Sequence, residues 1–239
     1  MPLLINVAAE RVLAELRYLC QTPQSSQWLA MMVADDLLAG WLEIPVREDF
    51  GERLTQIDRA IDLIRQHYPV LDRELQQPLR DTISISRGAM SKLTVLLSPE
   101  LPLATAQMLR LTFSTIEIQV VKIAITYLPQ LLRGEMSLSE QYFWFKSVGN
   151  NFPLLVILAI ASGVKISDLE SLIDRYLDPN DQVSHPTPLV NGHNLIQALQ
   201  IAPSPTIGKL LTEIQLARIM GKIATPADAI QFAQQMIES

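Results

Sequence analysis

Apolar residues recur three and four positions apart through almost the whole chain, and this spacing constrains the fold more than any other feature. Val12, Leu13, Leu16 and Leu19 show it first, then Leu54, Ile57, Ile61 and Ile64, then Ile118, Val121, Ile125 and Leu128. Residues so spaced line one face of an α-helix, whereas a strand places alternate residues on one face. Alternating β-branched runs are almost absent and glycine fills only 9 of 239 positions, so the expected class is all-α. A chain of this length can bury one large core or two modest ones. The expected division is a multi-helix body over 1–177 and a small helical tail over 178–239. The linker is 178–188, which carries three prolines.

In order, the first helix begins near Ala9 and is closed by Pro23; the second, roughly Ser25 to Leu42, buries Trp28, Leu29, Met32, Leu37, Leu38 and Trp41. A third spans Arg47 to Tyr68, and its interleaved Arg53, Asp58, Arg59, Asp62 and Arg65 read as a solvated face. Further helices are expected around Leu71 to Asp81, Ser86 to Leu97 and Leu103 to Leu111. Ser114 or Thr115 can cap the next helix, and Ser137 or Ser139 the one after Gly134. That segment holds Tyr142, Phe143, Trp144 and Phe145, whose rings could stack on bases but whose helical setting favours core packing. Phe152 to Val164 is about half of what a bilayer crossing needs and, with Pro153 at a first helical position, reads as a core helix. Cys20 is the one cysteine; it excludes an internal disulfide, fits a reducing compartment, and reads as buried packing. No signal peptide is evident in Met1 to Val7, so the expectation is a cytoplasmic protein without a membrane partner.

The formal net charge of −6 argues against a general nucleic-acid binder, for which excess Lys and Arg are expected. From Gln182 onward the charges balance, so a local phosphate contact in the tail remains open. Thr187 to Pro226 is where the sequence offers one. Asn191 or Asn194 can cap a short helix carrying Leu195, Ile196 and Leu199. After the Pro203-Ser204-Pro205 break, Thr206 and Ile207 lead Gly208 into a longer helix ended by Gly221, and Thr225-Pro226 opens another. A helix start leaves about four N–H groups without partners at the positive end of the dipole, which suits a phosphate. Gly208 has no side chain to hold a ligand away, and Lys209 adds a charge beside it. The alternative is that Pro, Thr and Gly only start the helix and let it pack closely.

The run Leu189-Val190-Asn191-Gly192-His193-Asn194-Leu195, then Pro203 to Leu211, then Gln215-Leu216-Ala217-Arg218 with Gly221-Lys222-Ile223 and Thr225, resembles the C-terminal region of bacterial tRNA nucleotidyltransferases. These are the CCA-adding and poly(A) polymerase-like enzymes. The chain departs from the family pattern at Ser204 and Asn194, where Gly and Asp are usual. The Ala9-Glu10-Arg11-Val12 helix, with Glu15-Leu16, and the following Leu37-Leu38-x-x-Trp41-Leu42 are similar to the start of the family's body region. Glu48-Asp49 does not match the nucleotide-selecting Glu-Asp-x-x-Arg motif, because Arg53 falls one place late and the segment lies after the Ala-Glu-Arg helix.

The resemblance implies a body and tail that hold the acceptor and elbow of tRNA while a catalytic head adds C or A to the 3′ end. Implied RNA contacts are the backbone at Ile207 and Gly208, the Thr206 hydroxyl, and the charges of Lys209 and Arg218, with His193 as a phosphate or ribose contact. Nucleotidyl transfer needs carboxylates held together on two metal ions. In the family these come from a head with a Gly-Gly turn and an Asp-x-Asp strand, neither of which occurs here; Asp72-Arg73-Glu74 has related spacing but lies in a helical run. Mg2+ and CTP or ATP are therefore expected only with a separate head, and no catalytic or metal-binding residue is expected in this chain. No HExxH, CxxC, P-loop or Gly-x-Ser-x-Gly pattern offers another chemistry. A split enzyme, a binding remnant, or a reading whose beginning was missed would each give such a chain, with self-association through the uncovered surface as a consequence. The competing expectation is an all-helical protein-interaction scaffold without RNA binding, consistent with the acidic balance.

Overall fold

The computed structural model describes residues 4, 6–42, 50–80 and 83–238, the side chains of 83 and 84 excepted. The expected start of a helix at Arg47 and the Glu48-Asp49 pair lie outside these residues. The elements run α1 (Ala9–Gln21), α2 (Ser26–Ala34), α3 (Phe50–His67), α4 (Pro69–Gln76), β1 (Pro78–Arg80), β2 (Ile83–Ser86), α5 (Arg87–Leu96), α6 (Leu101–Arg110) and α7 (Thr115–Arg133). They continue with α8 (Leu138–Val148), a 3-10 turn (Gly149–Asn151), α9 (Phe152–Ala161), α10 (Ile166–Leu177), α11 (Gly192–Leu199), α12 (Pro205–Ile219) and α13 (Pro226–Glu238). The protein is all-α, apart from one short hairpin in which Pro78 faces Ser86 and Arg80 faces Ile83.

Two compact units form. One comprises Met1–Glu135 with Val148–Glu170, the other Met136–Ser147 with Ser171–Ser239. The 178–188 stretch lies inside the second unit. It is hydrogen-bonded back onto α10: Arg175 pairs with Asp181 at 2.8 Å, the Ser184 hydroxyl donates to the Arg175 carbonyl at 2.7 Å, and His185 Nε2 lies 2.7 Å from the Tyr176 carbonyl.

In the first unit, α9 is the central rod. Phe152 through Leu158 and Ala159 are all buried, and the helix packs on α3, α4, α5 and α7. Residues 138–161 together are long and apolar enough to cross a bilayer by length and composition. The 3-10 turn interrupts them, however, and α9 is enclosed by its own unit's helices. The helix expected over Ser25 to Leu42 stops at Ala34, because left-handed Asp36 (φ 54°) and Gly40 (φ 88°) fold the next residues into turns. The helix expected to reach Asp81 ends at Gln76, just before Pro78 opens the hairpin.

The charged face of α3 is only partly solvated. Arg65 and Asp62 pair in the open at 2.7 Å. Asp58 instead turns toward Lys92, whose side chain is 2% exposed, and the pair meets at 2.7 Å. The Lys92 ammonium also donates to the Ser25 hydroxyl at 3.0 Å and the Thr22 carbonyl at 3.2 Å, which satisfies its three protons. Across the unit, buried Glu117 accepts two bonds from Arg17, at 2.8 and 2.6 Å. The same carboxylate closes a capping box with Ser114 at the start of α7.

Cys20 packs beside Lys92 and Asp58, and burial pushes its thiol up to about 12 from an ordinary 9.0. The folded state therefore holds this proton where the unfolded chain would release it. The resulting stability is fully present below pH 9.0 and is lost as pH rises toward about 12. At pH 8 a disulfide reagent is expected to leave the native thiol unmodified over hours and to titrate it fully in urea; rapid native reaction would contradict the burial.

Candidate nucleic-acid interface

The second unit is built on a small core of Leu195 from α11, Ile207, Leu210, Ile214 and Ala217 from α12, Ile223, and Ala229 and Ala233 from α13. Each helix start has its own device. Asn191 and Asn194 cap α11 reciprocally, with N–H to Oδ1 distances of 2.9 and 3.0 Å, so both candidate residues take part. Thr225 and Asp228 do the same for α13. The Asp228 carboxyl is held below the usual carboxylate range by the N–H groups of Ala224 and Thr225, then by the Thr225 hydroxyl.

α12 is different. Its helix begins at Pro205, so Gly208 sits within the first turn and not ahead of it. Ser204 makes no side-chain cap bond, and the Ile207 N–H turns back to the Ser204 carbonyl at 3.1 Å. Thr206, Gly208 and Lys209 are exposed, while the Ile207 side chain is 8% exposed and belongs to the core. Nothing lies within 4 Å of where a Cβ on Gly208 would stand, so this flank of the first turn is open. Gly192, by contrast, is needed for close approach: a Cβ there would sit 3.3 Å from Ile207 Cγ2. That contact sets the first turn of α11 against the first turn of α12, with exposed His193 on the next residue.

Arg218 does not join this cluster. It lies ten residues beyond Gly208 on α12, about 15 Å at the helical rise. Its guanidinium donates to the Thr187 carbonyl and, at 3.3 Å, to the Thr187 hydroxyl. Gln215 donates to the Gln182 carbonyl at 3.1 Å, and the Gln182 side chain accepts from the Thr187 N–H at 3.1 Å. The observed role of Arg218 is therefore to peg the 182–188 loop to α12.

Gly208 also opens onto a cleft of about 400 Å³ within the same unit. Its walls are Tyr142 and Lys146 of α8, the loop from Pro186 to Gly192, and Leu211, Thr212, Ile214 and Gln215 of α12. No carboxylate lines it, in a chain of net charge −6. Lys146 carries no signal of its own in the sequence, and the helical setting of Tyr142 among its aromatic neighbours predicts core packing. Tyr142, Trp144 and Phe145 are indeed buried, and only Phe143 is exposed. A cation four residues after an aromatic shares its helix face, and this spacing is the signal that points to the pair.

Among the described residues, no three of His, Cys, Asp and Glu gather where they could hold a metal ion. Asp72 pairs with Arg65 at 3.8 Å on helical α4. The described residues do not fit a two-metal transfer centre.

A family model described as tRNA nucleotidyltransferase domain 2, putative, matches residues 84–233. A second, described as a probable RNA and SrmB-binding site of polymerase A, matches residues 1–46. The chain belongs to the tRNA nucleotidyltransferase family. A CC-adding tRNA nucleotidyltransferase of Synechocystis sp. is 34% identical over 242 residues, covering 100% of this chain and 57% of that protein. An A-adding tRNA nucleotidyltransferase of Deinococcus radiodurans is 33% identical over 58 residues, 24% of this chain and 13% of that protein. The chain thus spans little more than half the length of the Synechocystis protein. No solved structure matches it.

Proposed function

We propose that this chain is an RNA-holding body and tail of a tRNA nucleotidyltransferase, gripping the acceptor and elbow of tRNA while a catalytic head adds C or A to the 3′ end. The observation that carries the reading is the open first turn of α12. It has no side-chain cap, a bare Gly208 flank, and exposed Thr206 and Lys209 beside it. Pro205 has no N–H and the Ile207 N–H is turned back on Ser204, so what this turn offers an anion is its positive dipole and the Thr206 N–H. His193 on the adjoining first turn of α11 is the second contact of the cluster. Arg218 contributes by holding the loop, with its half-exposed charge as a secondary phosphate contact.

In the first unit, Tyr18, Trp28 and Met31 are 71%, 53% and 54% exposed on neighbouring helices α1 and α2, so Trp28 does not take the buried place its helical spacing predicts. They offer a surface for the head, or for a second copy when the head is absent. The head supplies the metal ions and the CTP or ATP site.

Titrating labelled tRNA at about 50 and 200 mM salt tests the grip. Affinity is expected to fall steeply with salt, and Lys209→Glu is expected to weaken binding and lower the salt slope by at least about 1. Failure to bind at either salt favours an interaction scaffold without RNA, the reading consistent with the net charge of −6.

A further inference from the structure

We propose that Tyr142 and Lys146 of α8 form a second RNA-phosphate subsite, in the cleft that Gly208 also lines; the inference rests on the RNA-holding reading and assigns it residues. Lys146 is exposed at the cleft and makes no ion pair among the described residues, its ammonium lying 5.8 Å from the centre of the Tyr142 ring. Tyr142 lines the same cleft and is 5% exposed, yet its hydroxyl has no hydrogen-bond partner among the described residues. Among the described residues the buried side-chain atoms without a partner belong to Arg87 and Gln141, so the Tyr142 hydroxyl reaches solvent and has no internal bond to give up. The hydroxyl suits a group that arrives from outside.

The cleft names the chemistry of that group. Its single charged side chain is a cation, no carboxylate opposes it, and Gly208, in the first turn of α12, is part of its wall. Lys146 supplies the point charge, the Tyr142 hydroxyl donates to a phosphate oxygen, and the glycine flank lets the backbone approach. Half-buried Leu189 and Leu211 line the same walls and give the adjoining sugar and base an apolar face. The volume of about 400 Å³ falls within the range of about 300–1,000 Å³ usual for small-ligand sites, enough for one nucleotide of a chain that continues past it.

The test is tRNA titration of the full chain at about 100 mM salt with Lys146→Ala, Tyr142→Phe and, as a control of equal charge on an exposed lysine of the first unit, Lys165→Ala. Lys146→Ala is expected to weaken binding about tenfold and reduce the salt slope by about 1. Tyr142→Phe is expected to weaken it a few-fold at unchanged slope and unchanged or raised melting temperature, as for a hydroxyl without an internal partner. Lys165→Ala should bind like the parent. Parent-like binding by both α8 variants, with the parent still gripping tRNA, overturns this subsite alone and leaves the RNA-holding reading intact. Absence of tRNA binding by the parent overturns both. Displacement of tRNA by millimolar inorganic phosphate or CTP from the parent but not from Lys146→Ala identifies a free-phosphate site and overturns the RNA assignment of the cleft.

Discussion

Lys92→Ala is expected to cost the first unit about 3 kcal/mol, read as a fall in the urea midpoint. The ammonium is 2% exposed and gives its protons to Asp58, Ser25 and Thr22. Removing it leaves the Asp58 carboxylate, itself 16% exposed, without its counter-charge and empties space among α1, α3 and α5. A surface pair such as Arg65–Asp62 would cost less than about 1 kcal/mol if broken, so burial decides the size of the effect. Changing Asp58 to Leu together with Lys92→Met removes both charges and should restore more than half of the loss, since buried pairs replaced by apolar volume are often neutral. A single-variant loss below about 0.5 kcal/mol would contradict the ion pair.

Glu117→Ala is expected to cost a similar amount, about 3 kcal/mol, for two reasons that variants can separate. One carboxylate holds both the guanidinium of Arg17 and the first turn of α7. Ser114→Ala removes the cap and should cost about 1 kcal/mol. Arg17→Ala strands a buried carboxylate and should cost more. A double-mutant cycle between Arg17 and Glu117 should give a coupling of about 1.5–3 kcal/mol, because the pair is bidentate and one partner is fully enclosed. Additive single effects would show that α1 is held to α7 by apolar packing alone.

Much of this architecture was legible in residue spacing. The 3.6 period placed the helices, and Ser114, Asn191 and Thr225 marked their starts. What escaped has a physical cause. Asp58 carries the same charge as Asp62 and sits one turn away, and nothing local tells that a lysine 34 positions later is buried against it. The hairpin at 78–86 is too short to show alternation. At the site, Pro205 was read as part of a break but serves as the first residue of α12, which moved Gly208 into the turn. Arg218 looked free because its partner, Thr187, lies 31 residues earlier in a loop whose course only the folded tail defines. Tyr142 was assigned to the core correctly; its missing hydrogen bond can be seen only with its neighbours in place.

The most direct test of the whole account is one incubation of the purified chain with tRNA lacking its terminal nucleotides, CTP, ATP and Mg2+. The RNA is recovered from the retained complex and its 3′ end sequenced. Retained RNA with an unchanged 3′ end is the result that the proposed RNA-holding role predicts. RNA whose 3′ end has grown with no second polypeptide present, or RNA that is never retained, would contradict it.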